Sequence, residues 1–152
     1  MNVDVNEINI RSAQREDLQS IYNLVVELAI FEEEPDAVTS TLVDYEEAFD
    51  NGLIHAFVAE IANEVVGMAL YYVTFSTWKG QNLYLEDFYV KESHRSFGIG
   101  QRLFDAYIKK ARAMNSKMVK WQVLDWNKKA IKFYKKNDAM IEKCWFDCKI
   151  FF

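Results

Sequence analysis

Apolar residues recur along this chain at two spacings, and the changes from one to the other mark out its elements. Ile8 to Arg11 reads as a short first strand. Leu18, Ile21, Leu24, Val25 and Leu28 then fall three and four apart, which predicts an amphipathic helix to about Phe31. Pro35 stops it and biases Glu34 toward extended backbone. A second helix is expected over residues 42–50, closing at Asn51-Gly52. Residues 54–61 read as a strand, Ala62-Asn63-Glu64 as a hairpin turn, and residues 65–74, apolar on both faces, as a central strand. After a turn over 76–82, a strand from Leu83 to Val90 pairs back. A helix follows with Leu103, Phe104, Tyr107, Ile108 and Ala111 inward. A strand over 118–124, a helix over 128–136 and a turn at Asn137-Asp138 come next. The end alternates cleanly, with Cys144, Phe146, Cys148 and Ile150 on one face, which predicts a last strand.

The segment between Val90 and Leu103 holds the most specific signal. Lys91-Glu92-Ser93-His94 leads into Arg95-Ser96-Phe97-Gly98-Ile99-Gly100 and then the helix. A strand, a glycine-bearing turn and a helix start leave backbone N–H groups without helical acceptors, and the helix dipole adds positive charge there. Such a turn suits a phosphate or pyrophosphate. A Walker loop would continue Gly-Lys-Ser/Thr, and here Gln101-Arg102 follows Gly100. A dinucleotide fingerprint would need a third small residue where Leu103 stands, and an acid about 20 residues on, where 116–120 has none.

Composition narrows the classes. A chain of 152 residues, 51% hydrophobic and 27% charged, fits one globular domain over 1–152. No apolar run approaches the length of a membrane span, and the acidic start MNVDVNEINI is unlike a signal peptide, so a cytoplasmic protein without a membrane role is expected. Cys144 and Cys148 read as two reduced core thiols, with no further ligands for a metal. His55 and His94 read as structural or surface residues. The net charge of −5 hides a split: residues 1–90 carry 17 acids and 3 bases, the remainder 6 and 15. A basic half that attracts a polyanion and an acidic half that attracts a cation would steer two ligands; solvated helix faces explain the same lysines equally well. Nucleic acid is disfavoured, because the bases are not interleaved with exposed stacking aromatics.

The run R-x-x-G-x-G after a strand ending in Tyr-Val resembles the acetyl-coenzyme A loop of the GCN5-related N-acetyltransferases. The resemblance spans nearly the whole chain. Phe-Glu-Glu from Phe31, Tyr71-Tyr72, Ser76-Thr77-Trp78-Lys79-Gly80, Tyr84-Leu85-Glu86-Asp87, Val123-Leu124-Asp125-Trp126-Asn127 and Phe133-Tyr134 are similar to the diamine (spermidine/spermine) branch, and Ser-Thr-Trp-Lys-Gly to its thialysine-acetylating members. It implies an α/β (α+β) fold with one mixed, mostly antiparallel, twisted sheet and about four helices. It also implies direct acetyl transfer from acetyl-CoA to a small primary amine, without a metal, in a homodimer whose interface could use the C-terminal strand.

Site residues follow from that resemblance. Coenzyme binding falls to the backbone of Phe88, Tyr89 and Val90, to Arg95, Ser96, Phe97, Gly98, Ile99, Gly100 and Gln101, and to Asn127, Lys129, Ala130 and Tyr134. The amine site takes Phe31, Glu32, Glu33, Trp78 and Glu86, with a cation–π contact available at Trp78. Amine attack needs an ammonium of pKa about 10.4 to lose a proton. Alternation places Glu86 in an otherwise apolar row with Tyr84, Phe88 and Val90, so burial should raise its pKa and suit it as the base, while Asp87 faces away as a structural residue. Tyr134, seven residues after Asn127, matches the family's thiolate-protonating acid. Two departures stand out. Ser96 replaces the usual loop glycine and can serve if its φ stays negative. Ser76 stands where polyamine-acetylating relatives carry an aspartate, which favours thialysine or a short diamine. A non-catalytic acyl-CoA-binding protein, or an acetyltransferase for protein lysine or an aminoglycoside, remains the alternative.

Overall fold

The computed structural model describes residues 5–152. By internal contacts the chain forms two compact units, Met1–Trp121 and Gln122–Phe152. The first holds a five-stranded sheet in sequential order: β1 (Asn9–Ser12), β2 (His55–Ile61), β3 (Glu64–Ser76), β4 (Gly80–Val90) and β5 (Met118–Lys120). Strands β1 to β4 run antiparallel, and β5 joins β4 in parallel. Helices α1 (Leu18–Phe31), α2 (Leu42–Asp50) and α3 (Ile99–Ala113) complete the unit, and α4 (Lys128–Lys136) lies in the second. The mixed, mostly antiparallel sheet with four helices is the fold that the sequence led us to expect.

The helices start and stop for local reasons. Thr41 accepts from the Asp44 N–H while the Asp44 carboxylate accepts from the Thr41 N–H, a reciprocal cap that fixes the first turn of α2. On α1, Leu18, Ile21 and Leu24 pack with Val58, Met68 and Leu70 on one face of the sheet. On α3, Leu103, Phe104, Tyr107 and Ala111 are buried, and the Tyr107 ring stands 5.6 Å from Tyr71 on the other face. Its hydroxyl donates to the Leu83 carbonyl at 2.9 Å, which satisfies a buried phenol. Gly67 lets α3 approach: a Cβ there would lie 3.1 Å from the Tyr89 carbonyl oxygen and 3.2 Å from Leu103 Cδ1. An alanine would need these neighbours to give by a few tenths of an ångström.

Three expectations are corrected in the last third of the chain. The strand over 118–124 shortens to Met118–Lys120. The alternating C-terminal run is not a strand: residues 139–152 form no ladder, and Trp145, Phe146, Ile150 and Phe151 are exposed. A period of two makes a strand possible, but alternation alone does not supply the ladder hydrogen bonds that make one. Cys144 and Cys148 are consequently exposed free thiols rather than core residues. Among the described residues no helix is long and apolar enough to cross a membrane.

Candidate active site

The turn into α3 is built to expose backbone donors. After β4 the chain takes one 3₁₀ turn, Glu92–His94, and Arg95 is extended. Ser96 and Gly98 are then left-handed, at φ +73° and +77°, and Gly98 caps α3 without a side-chain hydrogen bond. The first helical bond runs from the Arg102 N–H to the Gly98 carbonyl at 3.1 Å, so the N–H groups of Ile99 and Gly100 have no acceptor within the helix. Left-handed residues at a helix start form an anion-binding concavity, and the dipole adds to it. The condition set for Ser96, a negative φ, is not met: it adopts the conformation a glycine would, at a cost of about 1–2 kcal/mol.

The strand beside this turn has an open edge. β5 pairs β4 only at Asn82, Leu83 and Tyr84. β3 pairs the other edge of β4 as far as Val90, but among the described residues no strand continues the β5 side beyond Tyr84. Phe88, Tyr89 and Val90 therefore present an edge to which an amide-bearing arm can add.

The open edge begins at an irregularity in β4. Tyr71 pairs with Leu85 and Leu70 with Asp87, so Glu86 is an extra residue, a β-bulge. The bulge overturns the expected facing. Glu86 and Phe88 do not share a row: the Phe88 ring stands 6.1 Å from Phe104 of α3, whereas the Glu86 carboxylate accepts from the Tyr72 hydroxyl at 2.6 Å. Tyr72 in turn stacks on Tyr84, with centroids 5.4 Å apart. Glu86 is exposed, not buried.

Asp87, set aside by alternation as structural, is the perturbed acid. Burial first, then the charges of Glu86 and Glu32, push its carboxyl up to about 7. Burial also raises Glu32, which follows the last residue of α1. Tyr45 of α2 is pushed up to about 12, chiefly by burial and then by the Asp87 charge. Tyr72 rises for the same first reason, with its bond to Glu86 second. Glu32, Glu86 and Asp87 thus form one acidic cluster walled by Tyr45, Tyr72 and Tyr84. A cluster of this kind attracts a cation and, with a member half-protonated near neutrality, accepts a proton from it. Only a register shift turns Asp87 inward, and no sequence pattern announces that shift; the adjacent Glu86-Asp87 pair was the available hint.

The remaining sequence candidates scatter. Phe31 ends α1, half-exposed, and Glu33 follows with φ +64°. Trp78 stands at the tip of the β3–β4 hairpin, 81% exposed. The pair Ser76–Gly80 is four residues beyond Tyr72–Tyr84, about 13 Å along the strands, so Trp78 lies apart from the acidic cluster. Ser76 spends its hydroxyl on the turn, where Oγ accepts from the N–H groups of Trp78 and Lys79 at 3.2 and 3.1 Å. In the second unit, Asn127 caps α4 by accepting from the Ala130 N–H at 3.1 Å. Lys129 is exposed, and Tyr134 is buried with its ring edge-on to Phe133.

Comparison with known proteins identifies the family and the fold. The model of the Acetyltransferase (GNAT) family matches residues 18–138. A thialysine N-epsilon-acetyltransferase of Bos taurus is 37% identical over 84% of this chain and 81% of its own. Its counterpart in Caenorhabditis elegans is 35% identical over 76% and 72%. A spermidine/spermine N(1)-acetyltransferase-like protein of Homo sapiens is 33% identical over 86% of this chain but only 20% of its own. Among solved structures, an aminoglycoside acetyltransferase from an uncultured soil metagenomic sample superposes with a TM-score of 0.82 over 95% of this chain and 97% of that one. At 20% identity it speaks for the fold alone.

Proposed function

Because the chain belongs to the acetyltransferase (GNAT) family and is an N-acetyltransferase, we propose that its acceptor is the primary amine of a small cation of the thialysine or short-diamine kind. The observation that carries this reading is the acidic cluster of Glu32, Glu86 and Asp87 beside the open edge of β4. Acetyl-CoA supplies the thioester. The left-handed turn at Ser96 and Gly98 and the backbone amides at the start of α3 suit its diphosphate. The edge over Phe88–Val90 suits its pantetheine amides.

In the proposed reaction a C–N bond forms as the C–S bond breaks. The ammonium proton leaves through the Glu86–Asp87 pair, of which the buried Asp87 carboxyl is the one raised toward neutrality. Sequence placed the base at Glu86; the bulge and the raised carboxyl argue for sharing that role with Asp87. The departing thiolate takes a proton from Tyr134, a role that rests on the family resemblance. Asn127, Lys129 and Ala130 are proposed coenzyme contacts on the same basis, with residues 1–152 acting as one domain. Phe31 and Glu33 complete the proposed amine lip. Trp78 would need a contact beyond the cluster described above.

A homodimer is also proposed, supported by the exposed aromatic run from Trp145 to Phe152, which exceeds what isolated surface residues require. Light scattering should give a mass near twice 17.9 kDa; a monomer would refute it. The acceptor itself is tested by thiol release from acetyl-CoA over thialysine, lysine, putrescine, spermidine and an aminoglycoside. Thialysine or putrescine should turn over with the highest kcat/KM. Preference for the aminoglycoside would contradict the acceptor, and binding without turnover would identify an acyl-CoA-binding protein instead.

A further inference from the structure

Arg95 opens the coenzyme turn, yet its side chain does not point to an anion. Its Nε donates to the carbonyl of Val90, the last residue of β4, at 2.9 Å. Its guanidinium carbon lies 5.1 Å from the centroid of Tyr89 and 5.2 Å from that of Phe31. Phe31 ends α1, and Glu32 of the acidic cluster is the next residue. Among the described residues no carboxylate pairs with Arg95, although Glu32, Glu33 and Glu34 follow Phe31 directly. The cation is held by two rings and a carbonyl, and the acids stay available to another cation.

We propose that Arg95 is a positioning residue: a brace joining the coenzyme turn to the amine lip, through which acetyl-CoA and the amine strengthen each other's binding. The inference rests on the functional reading above. Three contacts make the connection. The backbone of Arg95 belongs to the turn, its Nε fixes the end of β4, and its face carries the end of α1. A guanidinium at the C-terminal end of α1 is also favoured by that helix's dipole. Ligand binding that orders the turn therefore fixes the guanidinium, and a fixed guanidinium fixes Phe31 and the start of the acidic lip. Binding free energies couple reciprocally, so an amine-lip substitution must also alter coenzyme affinity. One cation–π contact of ordinary strength corresponds to about a fivefold effect.

The test has two readouts. In the first, initial rates are measured with thialysine varied at several fixed acetyl-CoA concentrations. The thialysine KM should fall about fivefold as acetyl-CoA approaches saturation, and Arg95→Lys, which keeps the charge but loses the planar face, should flatten that dependence. If Arg95→Lys weakens acetyl-CoA but leaves the thialysine KM at saturating acetyl-CoA unchanged, Arg95 is a phosphate ligand and the brace is wrong. The second readout needs no turnover and no change at Arg95. Calorimetry of acetyl-CoA with Phe31→Leu should show a Kd raised about fivefold, although Phe31 belongs to the amine lip; an unchanged Kd overturns the brace. Wild-type protein that binds acetyl-CoA without this coupling defeats the brace alone. Wild-type protein that binds no acetyl-CoA defeats the functional reading as well.

Discussion

The two halves of the proposed active site are made of different material. The coenzyme side is main chain: a left-handed turn at Ser96 and Gly98, the backbone amides at the start of α3, and an open strand edge. The amine side is side chain: three carboxylates and three phenol rings brought together by one extra residue in β4. A backbone site tolerates sequence change as long as φ and ψ survive, whereas a side-chain site depends on which way each residue faces. Charge should therefore be critical on the amine side and largely interchangeable on the other.

The substitution with the largest expected effect tests whether any single side chain dominates. Tyr134→Phe removes the proposed proton donor to the thiolate and should lower kcat about 10²-fold. A change within twofold would remove Tyr134 from the chemistry.

Asp87→Asn should come next, and it sharpens the contrast because its effects on activity and stability run in opposite directions. With the folded carboxyl at about 7 against a usual 3.8, protonation favours the folded state. Ionisation therefore costs stability progressively as pH rises from about 4 to about 7, and the full cost persists above that. Asn should reduce kcat/KM roughly tenfold at neutral pH and abolish the acidic limb near 7. At pH 8 it should also stabilise the protein by an amount on the order of 2 kcal/mol, measured by denaturant unfolding, with little gain at pH 4. Lower activity without that stability gain would mean the carboxyl is not buried as described. Glu86→Gln removes a charge that helps raise Asp87, so its signature is a shift of the acidic limb to lower pH. An unmoved limb would uncouple the two acids.

The smallest effect belongs to the main-chain side. Ser96→Gly relieves a left-handed non-glycine residue and should raise Tm by a few degrees, with acetyl-CoA affinity held or improved. Weaker binding would mean the Ser96 hydroxyl itself holds phosphate, and that half of the contrast would break.

Legibility in the sequence follows the same division. Helix α1 was readable to its last residue, because Leu18 to Phe31 keeps one spacing and Pro35 ends the pattern. The coenzyme turn was readable because glycines at 98 and 100 between a strand and a helix spell backbone geometry directly. Glu86 and Asp87 could be found but not oriented: strand alternation assumes an unbroken ladder, and a bulge reverses every assignment beyond it. The C-terminal run shows the same limit at larger scale, since Cys144 to Ile150 has a strand's alternation but forms no ladder. Tyr134 was legible only through the family resemblance, because an aromatic at helical spacing reads as core, and it is indeed buried.

The most direct test of the account compares coenzyme A with pantetheine by calorimetry. The two share the thiol and the amide-bearing arm and differ in the diphosphate and nucleotide. If amides at Ser96 to Gln101 clasp the diphosphate, coenzyme A should bind at least about 10²-fold more tightly, and added inorganic pyrophosphate should compete. Equal affinities, or indifference to pyrophosphate, would contradict the claim on which the assignment of both halves depends.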